Sequence, residues 1–258
     1  MEIAVPTCAA ERNRSLARGI ELLRAFRPGD DLLGNGELAE RTGLARPTVS
    51  RLAQTLADGG LLERDRRRRA YRLAAPVLSL AHTMRTGSPL LAAAAPPMRA
   101  EAQRLKVNVG LAAADRDEMV YLESFRFGRR VEWRNVVAGQ RVPMELTSLG
   151  RAWLAAVPDG ERAAVLARLR VKRRGRWGAL AHEIAHAIDA VRRDGWCWAS
   201  WQPQVVALAT PIALPDRPVV VLNMSTSGEL DAEHAARRLS GPLLALRARL
   251  LAQLAPPS

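Results

Sequence analysis

His182, Glu183 and His186 have the residue types and the spacing of a catalytic zinc site. In the pattern H-E-x-x-H, two histidines one helical turn apart bind the metal and the glutamate acts as a general base. A zinc metallohydrolase is therefore one function to test. On a helix over residues 179–195, however, the apolar side chains share one face and both histidines fall on the opposite face. We expect these histidines to face solvent, and we predict neither a metal site nor a cofactor.

Other catalytic constellations are absent from the sequence. It contains no G-x-S-x-G nucleophile elbow, no P-loop and no G-x-G-x-x-G dinucleotide fingerprint. Ser148 and Ser225 have no adjacent residue that would act as their base. The chain is therefore predicted not to be an enzyme, and the metallohydrolase is kept as an alternative.

The composition indicates a DNA-binding protein of the cytoplasm. A formal charge of +13 on 258 residues, carried mostly by arginine, points to a polyanionic partner such as nucleic acid, although arginine abundance is also typical of GC-rich genes. The two cysteines, Cys8 and Cys197, are far apart, which excludes a disulfide framework. No apolar run reaches the roughly 18 residues of a membrane span, so we predict no membrane association.

Two predicted helices, "GELAERTG" and "RPTVSRLAQTLADGG", have the pattern of a helix-turn-helix. Gly43 lies at the turn, and Val49, Leu52, Ala53 and Leu56 form the apolar face of the second helix at i, i+3, i+4 and i+7. A recognition helix in a major groove presents its other face to base edges and phosphates. The residues predicted to bind DNA from that face are Arg46, Thr48, Ser50, Arg51 and Gln54.

The run "LLERDRRRRAYRL" predicts two strands joined by a charged turn. Alone, such a charge run is typical of a solvated turn. Beside a helix-turn-helix it fits a wing that follows the DNA backbone or enters the minor groove. The wing residues predicted to bind double-stranded DNA are Arg66, Arg67, Arg68 and Arg69.

The remaining periodicity predicts an α+β chain. "SLARGIELLRAF" reads as a helix capped by Ser15, with Leu16, Ile20 and Leu23 on one face. Later strands, among them "RVEWRNVV" at 130–137, alternate with helices, and the prolines at 96–97 fit a helix start. The predicted organisation is a flexible arm over 1–14, a winged helix-turn-helix domain over 15–75, a linker helix over 76–88 and an effector-binding domain over 89–258.

The ordered motifs resemble those of the IclR family of bacterial transcriptional regulators. They include "ELAERTGLARPTVSRLAQTLADGGLLERD" in the first part, and "AGQRVPMELTSLGRAWLAAVP" and "VVALATPIALPDRPVVVLNMSTSG" in the second. The resemblance covers nearly the whole chain. It implies a winged helix-turn-helix, a linker helix and a GAF-like effector-binding domain. It also implies a homodimer or homotetramer that binds a partly palindromic operator and responds to a small-molecule effector.

The resemblance also implies where the effector binds: at the turn into "TSLGRA", after "RRDGW" and on the last strand. The chain departs from the family pattern at Glu145, where many relatives have histidine. It also departs at Ala199 and Ala207, where polar or acidic residues are common. We therefore hypothesise that the effector is not a small 2-oxo acid. The residues implied for this site are Ser148, Gly150, Ala199, Ala207, Asn223 and Ser225.

Three tryptophans, Trp196, Trp198 and Trp201, crowd the segment that contributes to this site. They fit either packing in a core or subunit interface, or a flat wall for a larger aromatic ligand, and Trp198 is included among the effector-binding candidates. A regulator whose sensor domain no longer binds a ligand remains a second alternative to the effector-responsive protein.

Overall fold

The computed structural model describes residues 13–127, 137–227 and 232–254. The predicted arm over 1–14 and the predicted strand over 130–137 lie almost entirely outside the described residues. Contacts divide the chain into two units between Met84 and Arg85. None of the helices in the described ranges is long and apolar enough to cross a membrane.

The first unit packs three helices on a small antiparallel sheet. Its core is apolar, and Leu22, Leu38 and Val49 are fully buried because each lies on the inner face of a different helix. The strand order is β1-β3-β2. The elements are α1 (Arg14–Arg24), β1 (Leu33–Gly34), α2 (Asn35–Thr42), α3 (Arg46–Asp58), β2 (Leu62–Asp65), β3 (Ala70–Leu73) and α4 (Ala75–Thr86), the last crossing the division between the units.

The first helix differs from its prediction at two points. Asn13, and not Ser15, caps it, because the Asn13 side chain accepts a hydrogen bond from the amide of Leu16 at 3.0 Å. On the predicted apolar face, the side chains of Leu16 and Ile20 are exposed, whereas Leu23 packs against the core. Leu22 is buried instead, and the short strand β1 was not predicted.

The second unit is a six-stranded antiparallel sheet with helices on both faces. The strand order is β6-β5-β4-β9-β8-β7, and consecutive strands in the sheet are antiparallel. The elements are α5 (Pro89–Leu105), β4 (Asn108–Asp115), β5 (Glu118–Phe125), β6 (Arg141–Pro143), α6 (Ser148–Ala156), α7 (Asp159–Lys172), a 3-10 turn (Arg174–Arg176), α8 (Trp177–Asp194), β7 (Cys197–Ala199), β8 (Val205–Ile212), β9 (Val220–Ser227) and α9 (Ala232–Leu254).

Each face of this sheet has its own apolar core, as the two-residue alternation of a strand requires. On β9, Val221 faces the core formed with α6, α7 and α8, whereas Leu222 and Met224 face the core formed with α5 and α9. The predicted α+β class, with a helix-turn-helix unit followed by a sheet covered by helices, is confirmed.

Two local predictions in this unit need correction. The prolines Pro96 and Pro97 lie inside α5 and not at its start, because Ser88 caps the helix by accepting from the amide of Leu91 at 3.3 Å. The short strands β6 and β7 were not predicted. The strand β7 forms one edge of the sheet, and its residues line a cavity.

Candidate nucleic-acid interface and ligand cavity

The turn between α2 and α3 holds the two helices as a compact pair. Gly43 adopts φ +69°, a left-handed conformation that glycine adopts without strain and that ends α2. At the other end of α2, the Glu37 carboxylate accepts from the amide of Gly34 at 2.8 Å. Arg41 holds α2 to the preceding loop through Asp30, and this bond holds the pKa of Asp30 below its ordinary value.

The residues predicted to read DNA lie along the outer face of α3. Arg46, Ser50, Arg51 and Gln54 are exposed, whereas Thr48 is half-buried. The Gln54 amide donates to Asp58 Oδ1 at 2.7 Å, so it must exchange this bond to reach a base. No side chain caps the start of α3, which leaves backbone amides there to bind a phosphate.

The predicted wing is the turn between β2 and β3. Asp65 organises it, because one carboxylate oxygen accepts from the amides of Arg67 and Arg68, both at 2.9 Å. The hydrogen bond from Arg68 is the main cause that holds the pKa of Asp65 below its ordinary value. Arg69 is left-handed at φ +51°. All four predicted wing arginines are exposed: Arg66, Arg67, Arg68 and Arg69.

A cavity of about 800 Å³ lies in the second unit, between α8, β7 and the start of α6. Its volume is within the range of small-molecule sites. The lining combines cationic, aromatic and small apolar side chains, which suits an anion with a flat apolar body. The lining residues are Leu146, Arg151, Arg176, His182, Glu183, His186, Ala187, Ala190, Cys197, Trp198, Ala199, Ser200 and Trp201.

Arg151 is the buried charge of this cavity. Its Nε donates to the carbonyl oxygen of Glu145 at 3.1 Å, and its Nη2 donates to Glu183 Oε2 at 2.5 Å. Glu183 itself is exposed on α8. A guanidinium has five N–H donors, so the remaining ones are available to a second carboxylate. Arg151 therefore presents a buried cation that the exposed carboxylate of Glu183 covers.

The predicted effector residues divide into two groups. Trp198 and Ala199 line the cavity, whereas Ser148, Gly150, Ala207, Asn223 and Ser225 do not. Most of the second group belongs to neighbouring rows of the sheet. Ala199 pairs with Ala207, which pairs with Ser225, and the row two residues along the strands runs from Cys197 through Ala209 to Asn223.

Gly150 lies where α6 packs most tightly. A Cβ atom at this position would stand 2.1 Å from the carbonyl oxygen of Met144, so only glycine fits. We therefore assign Gly150 a packing role rather than a ligand contact.

Two predicted residues are buried with an unpaired polar atom. Ser148 Oγ and Asn223 Oδ1 have no hydrogen-bond partner in the described structure. Such atoms lose their hydration without compensation, and a ligand is one way to satisfy them. Burial also raises the pKa of two neighbouring side chains to about 12, Tyr121 beside Asn223 and Cys197 beside Ser148.

The three H-E-x-x-H residues, on α8, all line this cavity. His182 and His186 are exposed, as predicted, although both line the cavity. Glu183, the base of the motif, is paired with Arg151. The residues described contain no cluster of three or more histidine, cysteine or acidic side chains able to hold a metal.

The cavity also contains Trp201, one of the three tryptophans noted in the sequence, and two arginines that were not among the predicted effector residues, Arg151 and Arg176. Arg176 belongs to the basic run "RLRVKRRGRW" at 168–177, whose sequence favours a solvated loop. In the structure, two side chains of this run form ion pairs with the rest of the unit. Lys172 binds Asp117 at 2.6 Å, and Arg173 Nε binds the buried Glu145 at 2.7 Å. The spacing of Arg151 three residues after Ser148 was the only available signal, because its partner Glu183 is 32 residues away.

Comparison with known proteins places both units. Residues 15–66 match the family model "IclR helix-turn-helix domain", and residues 82–231 match "Bacterial transcriptional regulator IclR C-terminal". The chain is 36% identical over 183 residues to the HTH-type transcriptional regulator TsaQ1/TsaQ2 of Comamonas testosteroni, an alignment that spans 70% of this chain and 66% of that relative.

Solved structures show the same architecture. An IclR family transcriptional regulator from Brucella abortus matches with a TM-score of 0.87 at 30% identity, covering 98% of this chain and 97% of that one. An IclR homologue from Microbacterium hydrocarbonoxydans, crystallised with 4-hydroxybenzoate, matches with a TM-score of 0.67 at 21% identity, covering 93% and 98%. At that identity the second likeness establishes the fold alone.

Proposed function

Because the chain belongs to the IclR family of bacterial transcriptional regulators, we propose that it binds its operator through α3 and the β2–β3 wing. The observation that carries this proposal is the exposed polar face of α3 beside four exposed wing arginines. The matches are to transcriptional regulators, which favours this function over the metallohydrolase alternative. The domains would be a winged helix-turn-helix over 15–75, a linker helix over 76–88 and an effector-binding domain over 89–258, acting in the cytoplasm.

In this proposal α3 reads the major groove. Arg51 and Gln54 donate to purine edges, while Arg46, Thr48 and Ser50 contact bases or phosphates. The wing arginines neutralise phosphates and set the strength of binding. A homodimer would place two copies of α3 about 34–36 Å apart, on the half-sites of a partly palindromic operator.

Exposed apolar side chains support self-association as a homodimer or homotetramer. Leu16 and Ile20 are exposed on α1, and Leu78, Leu80 and Met84 are exposed on α4. Exposed apolar groups of this kind are typical of protein interfaces. Sedimentation velocity tests this assignment, since Leu16→Glu with Ile20→Glu would release monomers if α1 contributes to the interface, and unchanged sedimentation would remove α1 from it.

The proposed effector is an aromatic carboxylate in the cavity beside β7. Arg151 would bind the carboxylate in place of Glu183, and Trp198 and Trp201 would contact the ring. The 4-hydroxybenzoate bound by the Microbacterium hydrocarbonoxydans homologue supports this chemical class. Ser148 and Asn223 lie outside the lining of this cavity, so they are not part of the proposed ligand contact.

Calorimetric titration of the full chain separates an active sensor from a lost one. Saturable binding of 4-hydroxybenzoate that is weakened by Arg151→Met supports the proposal. Preferential binding of glyoxylate or pyruvate would contradict the aromatic class. If no aromatic carboxylate changes operator binding, the alternative of a regulator without a working sensor stands, because a ligand shifts an equilibrium only through differential affinity for its states.

A further inference from the structure

A second cavity, of about 550 Å³, lies at the other end of α6. Trp153 and Val157, near the end of that helix, line it, whereas Arg151, near its start, lines the cavity beside β7. The two cavities have no lining residue in common. The second cavity is therefore a separate space, and its volume lies within the range of small-molecule sites.

Three arginines from three different elements converge on this second cavity. Arg116 comes from the turn between β4 and β5, Arg168 from α7, and Arg217 from the turn between β8 and β9. Glu161 is the one acidic residue of the lining. Convergent guanidinium groups around a concave space attract a small anion, since each binds a planar acidic group through paired donors.

Carboxylates near this cavity have strong cationic partners outside its lining. Asp115 and Glu118 both bind Arg141, at 2.5 and 2.8 Å, and Asp117 binds Lys172 at 2.6 Å. In the described part of the chain, the side chains of Arg168 and Arg217 form no ion pair. Within the lining itself, three arginines stand against the single carboxylate of Glu161, so the lining carries an excess of positive charge.

The floor of the second cavity is apolar and well packed. Trp153 and Val157 are each 6% exposed and Val165 is 2% exposed, and the ends of the adjoining strands add small side chains. An inorganic anion would contact the arginines but leave this floor against water. A ligand with both an acidic head and an apolar body satisfies both parts of the lining.

We propose that this cavity is a second ligand site, separate from the effector cavity, for a small organic anion with an apolar body. Arg168 and Arg217 bind the acidic head, and Trp153 contacts the body. This site shares no residue with the proposed effector cavity, so a failure of either proposal leaves the other unaffected.

The test uses the full chain labelled with 5-fluorotryptophan and naphthalene-2-sulfonate as the probe. Fluorine NMR resolves the tryptophans by position once Trp153→Phe identifies the Trp153 signal. We expect the probe to shift that signal saturably. Removing each arginine should weaken the binding by about tenfold, so Arg168→Gln with Arg217→Gln should lose about a hundredfold. Arg170→Gln, also on α7 but outside the lining, is the matched control.

Several outcomes would overturn the proposal. One is a Trp153 signal that does not move up to the solubility limit of the probe. Another is equal affinity in the double variant and in Arg170→Gln. A Trp153 shift caused by duplex DNA in the absence of probe would assign the arginines to a nucleic-acid surface instead. Thermal melting of each variant establishes that the fold is retained, and the signals of Trp198 and Trp201 report the other cavity separately.

Discussion

The ion pair between Arg151 and Glu183 gives the most specific prediction about the effector cavity. Replacing Glu183 by glutamine removes the charge that covers Arg151 but keeps a similar shape. The Arg151 side chain is 9% exposed and the Glu183 side chain is 58% exposed. An incoming carboxylate must displace Glu183 in the native protein, whereas in the variant it meets no anionic competitor.

The magnitude lies between two limits. Breaking a fully buried pair costs about 3–5 kcal/mol, and an exposed pair contributes about 0.2–1 kcal/mol. One partner here is in solvent and glutamine still accepts a hydrogen bond, so we expect Glu183→Gln to destabilise the protein by about 1–2 kcal/mol. In a unit of this size the melting temperature should fall by about 2–8 °C.

The free energy that Glu183→Gln loses in stability should be gained in ligand binding. Binding of 4-hydroxybenzoate to Glu183→Gln should strengthen by a factor of about 5–30, because the ligand supplies the charge that the variant lacks. Arg151→Met should weaken binding and also lower the melting temperature, because methionine leaves the buried carbonyl oxygen of Glu145 without its donor. Calorimetry and thermal melting measure both quantities. Glu233→Gln, which removes an exposed pair with Arg237, is the control.

The reasoning would be refuted if Glu183→Gln bound the ligand more weakly than the native chain. It would also be refuted if this variant and Glu233→Gln changed stability and affinity equally. Either result would mean that Glu183 does not compete with the ligand for Arg151.

Three further predictions concern packing, burial and the wing. Gly150→Ala should destabilise by about 3 kcal/mol in chemical denaturation, because its Cβ meets Met144, whereas Gly160→Ala, with open space around it, should not; equal effects would contradict this packing. In a Cys8→Ser background, Cys197 should react with a disulfide reagent at pH 8 about a thousandfold more slowly in the native protein than after unfolding. The reason is that burial raises the pKa of Cys197 from 9.0 to about 12. Native and unfolded rates within tenfold of each other would refute this burial. The pKa of Asp65 is lower in the folded wing than its value of 3.8 in the unfolded chain, so its contribution to the free energy of unfolding is present above pH 3.8 and is lost as the pH falls through the folded pKa. The difference in melting temperature between the native chain and Asp65→Asn should therefore shrink on acidification. A difference that stays constant would contradict this effect of Asp65.

The sequence predicts elements well where local periodicity and burial agree. On α3, Val49, Leu52 and Ala53 recur at helical spacing and are buried as expected. On α1 the two signals disagree, since Leu16 and Ile20 follow the same spacing and remain exposed. Periodicity identifies an apolar face, but it does not say whether that face packs in the core or is left for another surface.

The cavity beside β7 contains contacts that could not be predicted from the sequence. Ser148 and Asn223 were implied by the family resemblance, and their buried unpaired atoms fit a site. Arg151 and Glu183 meet only because α6 and α8 pack against each other beside the edge strand β7, and no local pattern encodes a contact between residues 32 positions apart. The strand β7 itself is three residues long, too short for an alternation pattern to reveal.

Binding of fluorescently labelled DNA from upstream of the protein's own gene tests the central claim most directly. We predict saturable binding whose affinity falls by roughly 10³–10⁵ between 50 and 200 mM salt if six to ten phosphates are contacted. Arg51→Ala should cost about 1–3 kcal/mol and reduce sequence discrimination, Arg67→Gln should reduce the salt slope by about one for each bound protomer, and Arg249→Gln on α9 should change neither. Sequence-indifferent binding that is unchanged by Arg51→Ala and Arg67→Gln would contradict the assignment of α3 and the wing as the DNA-binding surface.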